Sequence, residues 1–184
     1  DAGIEADTLD NGADIDVRYG AGNWPGVEAT EFLRETIFPV CSPALLSAEH
    51  PLRTPQDLRH FTLLHDVMVT DWQAWLTAAG VSDVDATRGS GFNHSHLVTQ
   101  AAISGDGVAL GRGALVADAL RRGELVKPFQ LCLPSAYSYF VVYSKVAATD
   151  PVVCAFRDWL VEEGAASQRE LDGVHILGSA AHEG

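Results

Sequence analysis

The sequence predicts an α/β fold in which strands and helices alternate along the chain. The strongest strand signal is YSYFVVY at residues 137–143, which is rich in aromatic and β-branched residues. The clearest helix signal is PVVCAFRDWLVEE at residues 151–163, where apolar residues recur at helical spacing after a first-turn proline. Because strand-like and helical segments alternate throughout, we expect a largely parallel sheet or sheets.

The first part of the chain contains three further strand signals, at residues 14–19, 35–42 and 61–64. The segment GAGNWPG at residues 20–26 is a glycine-rich loop after the first of them. Residues 51–58 are expected to form a loop and a short helix, with Thr54 as the N-cap and Pro55 as the first helical residue.

The second part of the chain is dominated by helical patterns, at residues 71–79, 95–104, 114–122 and 151–163, with a short buried strand at residues 108–110. Asp71 is a suitable N-cap for the first of these helices, and Gly80 is a suitable stop signal. Residues 164–184 are only weakly patterned, and within them only residues 174–177 are strand-like, so we interpret this segment as a tail.

Charge and composition exclude several classes of function. The chain has 12 Lys and Arg against 25 Asp and Glu, a net charge of −13, which disfavours binding of DNA phosphates by this segment itself. No apolar run is long enough to span a membrane, and no secretory signal opens the sequence. The three cysteines, Cys41, Cys132 and Cys154, lack zinc spacing and are typical of reduced thiols in a cytoplasmic protein.

The polar run NHSH at residues 93–96 is the first candidate site. A metal pair of His94 and His96 is disfavoured because no acidic ligand lies near them in sequence. A nucleophilic Ser95 is disfavoured because the G-x-S-x-G motif is missing. Asn93 or Ser95 could instead cap the helix that follows, and such a helix start suits a bound carboxylate. A plain surface cap without a ligand is the alternative.

The loop at residues 20–26 is the second candidate site. Its glycines do not form the GxGxxG or Walker motifs of nucleotide-binding loops. Trp24 places a large flat side chain in this loop, as pocket walls often do, although an ordinary turn remains the alternative.

Several blocks occur in an order that resembles the LysR-type transcriptional regulators. They are ADIDVRYGAGNWPG, FPVCSPALL, PLRTPQDLRHFTLLHD, DWQAWL, NHSHLVTQAAISGDGVALG, ADALRRGELVKPF, YSYFVVYS and AFRDWLVEE. Together they cover about residues 14–163. The pattern is most similar to the branch that contains the glycine-cleavage activator and the β-lactamase regulator.

This resemblance implies a bacterial effector-binding domain with a two-lobed, type II periplasmic-binding-protein-like fold. Lobe one would comprise residues 1–41 and 134–163, and lobe two residues 42–133, with residues 164–184 as a tail. A small, anionic effector would bind in the cleft. The full-length regulator would be a homo-oligomer, a dimer or tetramer, and would contact DNA through an N-terminal winged helix-turn-helix that this sequence does not include.

The resemblance also implies a set of effector contacts. It places Ser95 at a helix start that contacts effector, with Asn93 and His94 beside it. It places Tyr139 on a strand that faces the cleft. The remaining implied contacts are Gly22, Asn23, Trp24, His65 and Asp66. No metal, cofactor or catalytic residue is expected.

The sequence departs from the family pattern at its start, where the strand, helix and strand that open the family's domain have no counterpart before Asp1. Either the sequence is a trimmed piece or lobe one is incomplete. Two alternative functions remain: a periplasmic-type solute-binding protein, and a small hydrolase that uses Ser95 with His94 or His96.

Overall fold

The computed structural model describes residues 14–46, 51–66 and 72–173, which divide into two compact units. Unit 1 contains residues 14–35 and 134–172 of the described part. Unit 2 contains the described residues between 36 and 133. The lobe boundaries implied by the family resemblance stay a prediction.

The chain forms eight strands and four α-helices within these ranges. The strands are β1 (Ile15–Gly20), β2 (Val27–Leu33), β3 (Thr36–Val40), β4 (Leu63–Asp66), β5 (Gly89–Phe92), β6 (Val108–Arg112), β7 (Leu133–Pro134) and β8 (Ser138–Ser144). The helices are α1 (Trp72–Ala78), α2 (Ser95–Ser104), α3 (Gly113–Arg121) and α4 (Pro151–Asp172).

Unit 1 is built on a three-stranded sheet with the order β1-β8-β2. Strand β8 runs antiparallel to both neighbours, with Tyr139 opposite Tyr19 and Val142 opposite Ala29. The expectation of largely parallel sheets is therefore wrong for this unit. Parallel neighbouring strands need a crossover connection between them. Helix α4 follows β8 but leads into no further described strand, and it packs back on β2 and β8 instead.

Helix α4 covers one face of this sheet. Val153 and Leu160 pack with Val141 and Tyr143 of β8 in a small apolar core. The helix ends at Asp172, so the predicted end at residue 163 and the interpretation of the following residues as a tail are wrong for residues 164–172. Good helix formers such as Ala, Gln, Arg and Glu continue through this stretch, and Leu171 is buried. The strand-like residues 174–177 lie outside the described residues.

Unit 2 is built on a five-stranded sheet with the order β5-β4-β6-β3-β7. Strand β4 is parallel to both β5 and β6, while β3 is antiparallel to β6. The expected parallel arrangement is thus found at β5-β4-β6, the part of the sheet whose carboxyl ends carry the candidate site.

The two faces of this sheet bury separate apolar cores, because neighbouring residues of a strand point to opposite faces. Leu63 and Val108 belong to the core on the side of α1, with the fully buried Trp75. Leu64 and Ala109 belong to the core on the side of α2 and α3. The other buried residues of this core are Phe38, Val40, Val98, Ala101, Ala102, Val116, Ala119 and Leu125. The sheet is therefore held between two helical layers, which fixes the direction of its strand ends.

A short 3₁₀ helix, Pro55–His60, precedes β4 and confirms the predicted helix start. Thr54 is its N-cap residue and Pro55 its first residue. The Asp57 carboxylate accepts hydrogen bonds from the backbone amides of Thr54, at 2.8 Å, and Arg53, at 3.0 Å. Across the described ranges, no helix is long and apolar enough to cross a membrane.

Candidate functional site

The carboxyl ends of three neighbouring strands gather polar residues at one edge of the unit 2 sheet. Strand β4 ends with His65 and Asp66, and β6 ends with Arg112. Strand β5 is followed directly by α2, which begins at Ser95. Parallel strands end at the same edge, and ligands of open α/β sheets bind beyond such ends. We call this place the carboxyl edge.

A hydrogen bond connects two of the predicted site residues. The Ser95 hydroxyl donates to Oδ2 of Asp66. The parallel register sets Asp66 opposite Phe92, so the chain reaches Ser95 three residues after the strand pair. The structure thus brings together the first residue of α2 and the last residue of β4.

The predicted capping role of Asn93 or Ser95 is wrong. The N-cap of α2 is His94, in extended conformation, and no side chain caps this helix. Ser95 is already the first helical residue, and its hydroxyl is directed to Asp66. A carboxylate beside a helix start is electrostatically favourable, so the protein's own Asp66 lies where a bound carboxylate was expected.

Two adjoining depressions open at the carboxyl edge, and both are lined by Asp66, Leu110 and Arg112. The first also includes Ile37, Leu64, His65 and Trp72. The second also includes Ser95, Val98, Thr99, Ala109, Gly111 and Leu115. The edge therefore offers one carboxylate, one guanidinium, one imidazole and two hydroxyls on a largely apolar wall.

Buried and half-buried hydrogen bonds hold this wall in place. The buried Trp72 indole donates to the Leu64 carbonyl at 3.1 Å. The half-buried His65 pairs through Nε2 with the Arg88 carbonyl at 3.0 Å. The Thr99 hydroxyl donates to the Ser95 carbonyl at 3.1 Å. His65 is thus positioned at the site and connects β4 to the segment before β5.

Asn93 and His94 are exposed beside the site. The His94 ring stacks on His96, with the ring centroids 5.7 Å apart. Stacking is possible because His94 precedes the helix in an extended conformation. In the ranges that the structure describes, no group of three or more His, Cys, Asp or Glu side chains could hold a metal ion.

The other predicted contacts belong to unit 1. Trp24 packs edge-on against Phe140, at 5.4 Å between centroids, in the loop that also holds Gly22 and the exposed Asn23. Tyr139 packs against Tyr19 at 4.8 Å. Because Tyr139 and Phe140 are neighbours on β8, Trp24 lies on the sheet face opposite to Tyr139. Their role in effector binding stays a prediction.

Arg112 is a site residue that the sequence analysis missed. The predicted strand ended at Leu110, so the two residues after it were not assigned to a strand end. The available signal was the basic residue that follows VALG, directly before the helical pattern of residues 114–122. In the structure, β6 continues to Arg112, which also serves as the N-cap residue of α3.

The chain matches the family model of the LysR substrate binding domain over residues 4–165. It is 39% identical to the glycine cleavage system transcriptional activator of Escherichia coli K12 over 167 residues, which cover 91% of this chain and 55% of that protein. It is 30% identical to the HTH-type transcriptional activator AmpR of Citrobacter koseri, with 82% of this chain and 51% of that protein covered. The chain thus spans about half the length of these relatives.

Solved structures give the same result. The effector domain of AmpR from Pseudomonas aeruginosa has 31% sequence identity and a TM-score of 0.66, with 86% of this chain and 75% of that chain covered. The AmpR effector binding domain from Citrobacter freundii has 27% identity and a TM-score of 0.69, with 84% and 76% covered. The two-sheet α/β architecture is therefore the type II periplasmic-binding-protein-like fold of these domains.

These relatives are transcriptional activators, so a separate solute-binding protein is not the favoured interpretation. The chain belongs to the LysR substrate-binding domain family, as the effector-binding domain of a LysR-type regulator.

Proposed function

We propose that this domain binds a small effector at the carboxyl edge of unit 2, between Asp66, Ser95 and Arg112. The observation that carries the proposal is the hydrogen bond from Ser95 to Asp66, in a depression that Arg112 also lines. The bond joins a strand end to a helix start, so a ligand that contacts both residues changes how the two elements are held together.

The residues at this edge favour an effector with both an acidic group and a hydrogen-bond donor. An arginine binds a carboxylate with paired, charge-assisted hydrogen bonds. Asp66 accepts from an ammonium or amide group. The Ser95 and Thr99 hydroxyls donate their protons to Asp66 and to the Ser95 carbonyl, and their lone pairs can accept from the same donors of an effector. An amino acid or a short peptide-like acid fits this description, whereas a purely apolar molecule leaves the polar groups unpaired.

The remaining predicted contacts enter the proposal with different support. His65 lines the depression, and Asn93 and His94 are exposed next to Ser95. Gly22, Asn23, Trp24 and Tyr139 rest on the family resemblance.

For the whole protein, we propose a cytoplasmic bacterial regulator that forms a homo-oligomer and has no enzymatic activity. It would contact DNA through a winged helix-turn-helix. The relatives support this, since they are transcriptional activators and one of them is an HTH-type activator. The net charge of −13 agrees with DNA contact outside this segment.

A thermal-shift screen of amino acids, small carboxylic acids and short peptides tests the proposal, with amines and apolar compounds as the contrasting classes. A ligand at a hundred times its Kd stabilises the fold by about 2.7 kcal/mol. We expect a shift from acids that carry a donor group, and loss of that shift in Asp66→Asn. The exposed Asp106→Asn is the matched control. Shifts from amines or apolar compounds alone, or equal loss in both variants, would contradict the proposal.

A further inference from the structure

A buried ammonium group lies against a cysteine thiol in unit 2. Lys127 is 8% exposed, and its Nζ is 3.0 Å from Sγ of Cys132. The same Nζ lies 4.6 Å from the ring centroid of Phe38. Among the residues that the structure describes, no oxygen acceptor contacts this ammonium group. The thiol and the aromatic face are its partners.

The Cys132 sulfur is the nucleophilic neighbour of this buried cation. A buried cation is costly unless an anion or an electron-rich group accompanies it. The neutral residue Phe38 supplies only the attraction of its π-face. A Cys132 thiolate would form an ion pair with Lys127 without any change in the fold. Cysteines next to a lysine in partly exposed surroundings are the ones that react, and Cys132 is partly exposed.

We propose that Cys132 is the reactive thiol of this domain and a site of oxidation by hydroperoxides, with Lys127 as the residue that activates it. Neither residue lines the depressions at the carboxyl edge. The proposal is therefore independent of the proposed effector site.

The other two cysteines lack these features and serve as internal references. Cys41 is fully buried, and burial raises the pKa of its thiol to about 12. Cys154 is partly exposed like Cys132, but its Sγ donates to the Ala148 carbonyl at 3.3 Å. Cys132 has a similar, longer contact, because its Sγ donates to the Gln130 carbonyl at 3.5 Å. The difference between the two thiols is therefore the Lys127 ammonium, since the described residues place no cation in contact with Cys154.

The oxidation step converts one thiol and one hydroperoxide into a sulfenic acid and an alcohol. The Cys132 thiolate attacks the terminal peroxide oxygen, so that an S–O bond forms while the O–O bond breaks. The sulfur loses two electrons and the peroxide gains them. The leaving alkoxide, or hydroxide when the oxidant is hydrogen peroxide, takes up the proton that the thiol released. The Lys127 ammonium stays protonated beside the product.

The test measures the reaction rates of all three thiols in the folded 184-residue chain. Iodoacetamide alkylation, and hydrogen peroxide oxidation trapped with dimedone, are followed by peptide mass spectrometry. We expect Cys132 to react at least threefold faster than Cys154 with both reagents, and Cys41 to react slowest. The same measurement in urea removes the effect of the fold, and there we expect the rates to converge.

Two variants isolate the contribution of Lys127. Lys127→Met keeps the length of the side chain without its charge, and we expect it to slow Cys132 at least threefold while Cys154 is unchanged. Lys127→Arg keeps the charge and should retain most of the rate. The proposal is overturned if Cys132 reacts less than threefold faster than Cys154, or if Lys127→Met folds and slows Cys132 by less than threefold. If Lys127→Met does not fold, the proposal is tested by the rates in the unmodified chain alone, where Cys132 must react at least threefold faster than Cys154.

Discussion

The Ser95 hydroxyl donates a hydrogen bond to the Asp66 carboxylate, which ties the first residue of α2 to the last residue of β4. The two residues are 29 positions apart in the chain. Their meeting depends on the parallel pairing of β4 with β5, which sets Asp66 opposite Phe92. The bond is therefore a product of the sheet register, and it stabilises the geometry of the carboxyl edge.

Asp66→Ala tests the structural contribution of this bond. Removal of the carboxylate leaves the half-buried Ser95 hydroxyl without this acceptor, and loss of a hydrogen bond to a charged group costs roughly 1–2 kcal/mol at a partly exposed site. We expect the free energy of unfolding, measured by urea denaturation, to fall by that amount. The exposed Gln100→Ala on α2 is the control, with an expected change within about 0.5 kcal/mol. Equal stability of the two variants would contradict the assignment.

The Asp57 carboxylate, which accepts hydrogen bonds at the start of the Pro55–His60 helix, predicts a pH dependence of stability. Burial opposes ionisation of this carboxyl, but the hydrogen bonds from the Thr54 and Arg53 amides outweigh it and hold the pKa of Asp57 below its ordinary value of 3.8. Because the folded pKa is the lower one, Asp57 stabilises the fold above pH 3.8, and this stabilisation is lost as the pH falls through the folded pKa.

We therefore expect Asp57→Ala to cost about 1 kcal/mol near pH 7. The difference from the unmodified chain should shrink when urea denaturation is repeated at about pH 3. The neighbouring exposed Gln56→Ala should show no such trend. A difference that stays constant between the two pH values would show that the cap does not act through its charge.

Gly164 is a helical glycine where alanine should destabilise the protein. A Cβ built on Gly164 lies 1.8 Å from the Phe32 carbonyl oxygen on β2, so α4 must move away from the sheet to admit it. At a helix position with free space, replacing glycine by alanine stabilises the helix by up to about 1 kcal/mol. We expect Gly164→Ala instead to lower the free energy of unfolding by about 1–3 kcal/mol, as overpacking of a core does.

Thermal unfolding of Gly164→Ala provides the measurement. Glu162→Ala, at an exposed position on the same helix, controls for a general effect on α4 and should change stability by less than about 0.5 kcal/mol. A higher Tm for Gly164→Ala would mean that α4 does not approach β2 as closely as the structure shows.

The charge of the chain predicts that it does not bind DNA by itself. A net charge of −13 repels phosphate, and affinity for DNA depends on cations that replace its counterions. We expect no change in the fluorescence anisotropy of a labelled duplex at micromolar protein and about 0.15 M salt. Saturable binding under these conditions would refute this expectation.

Much of the helical structure could be predicted from the sequence. Helix α2 spans the predicted residues 95–104, and α4 starts at the predicted Pro151. Both have local signals, a regular apolar spacing in α2 and a first-turn proline in α4. Local signals determine where an element begins, but not which strands become its neighbours.

Strands β2 and β5 were not predicted. Strand β5 has the sequence GSGF, which carries almost no strand propensity. It is a strand because it pairs with β4, and Gly89 permits this, since a Cβ there would lie 1.7 Å from the Leu63 carbonyl oxygen. Strand β2, VEATEFL, contains two glutamates and owes its place to pairing with the distant β8.

Only part of the candidate site could be predicted, because contacts that depend on strand pairing leave no local signal in the sequence. Ser95 and Asp66 were both proposed from the family pattern, yet the hydrogen bond between them depends on sheet register, which one sequence does not reveal. Arg112 was missed because the predicted strand was two residues too short. The capping role of Ser95 was wrong because the helix starts at Ser95 itself, one residue earlier than a cap at Ser95 requires.

The most direct test of the effector site is a calorimetric titration of the best acid from the thermal-shift screen against the unmodified chain, Ser95→Ala and Gln100→Ala. If Ser95 contacts the effector, Ser95→Ala should weaken binding more than tenfold, since a lost hydrogen bond to a charged ligand group costs roughly 1.5–3 kcal/mol. Gln100→Ala, exposed on the same helix and outside both depressions, should bind within about threefold of the unmodified chain, a difference of less than 1 kcal/mol. A Ser95→Ala variant that has a lower Tm but the same Kd would contradict the assignment of the effector to the carboxyl edge.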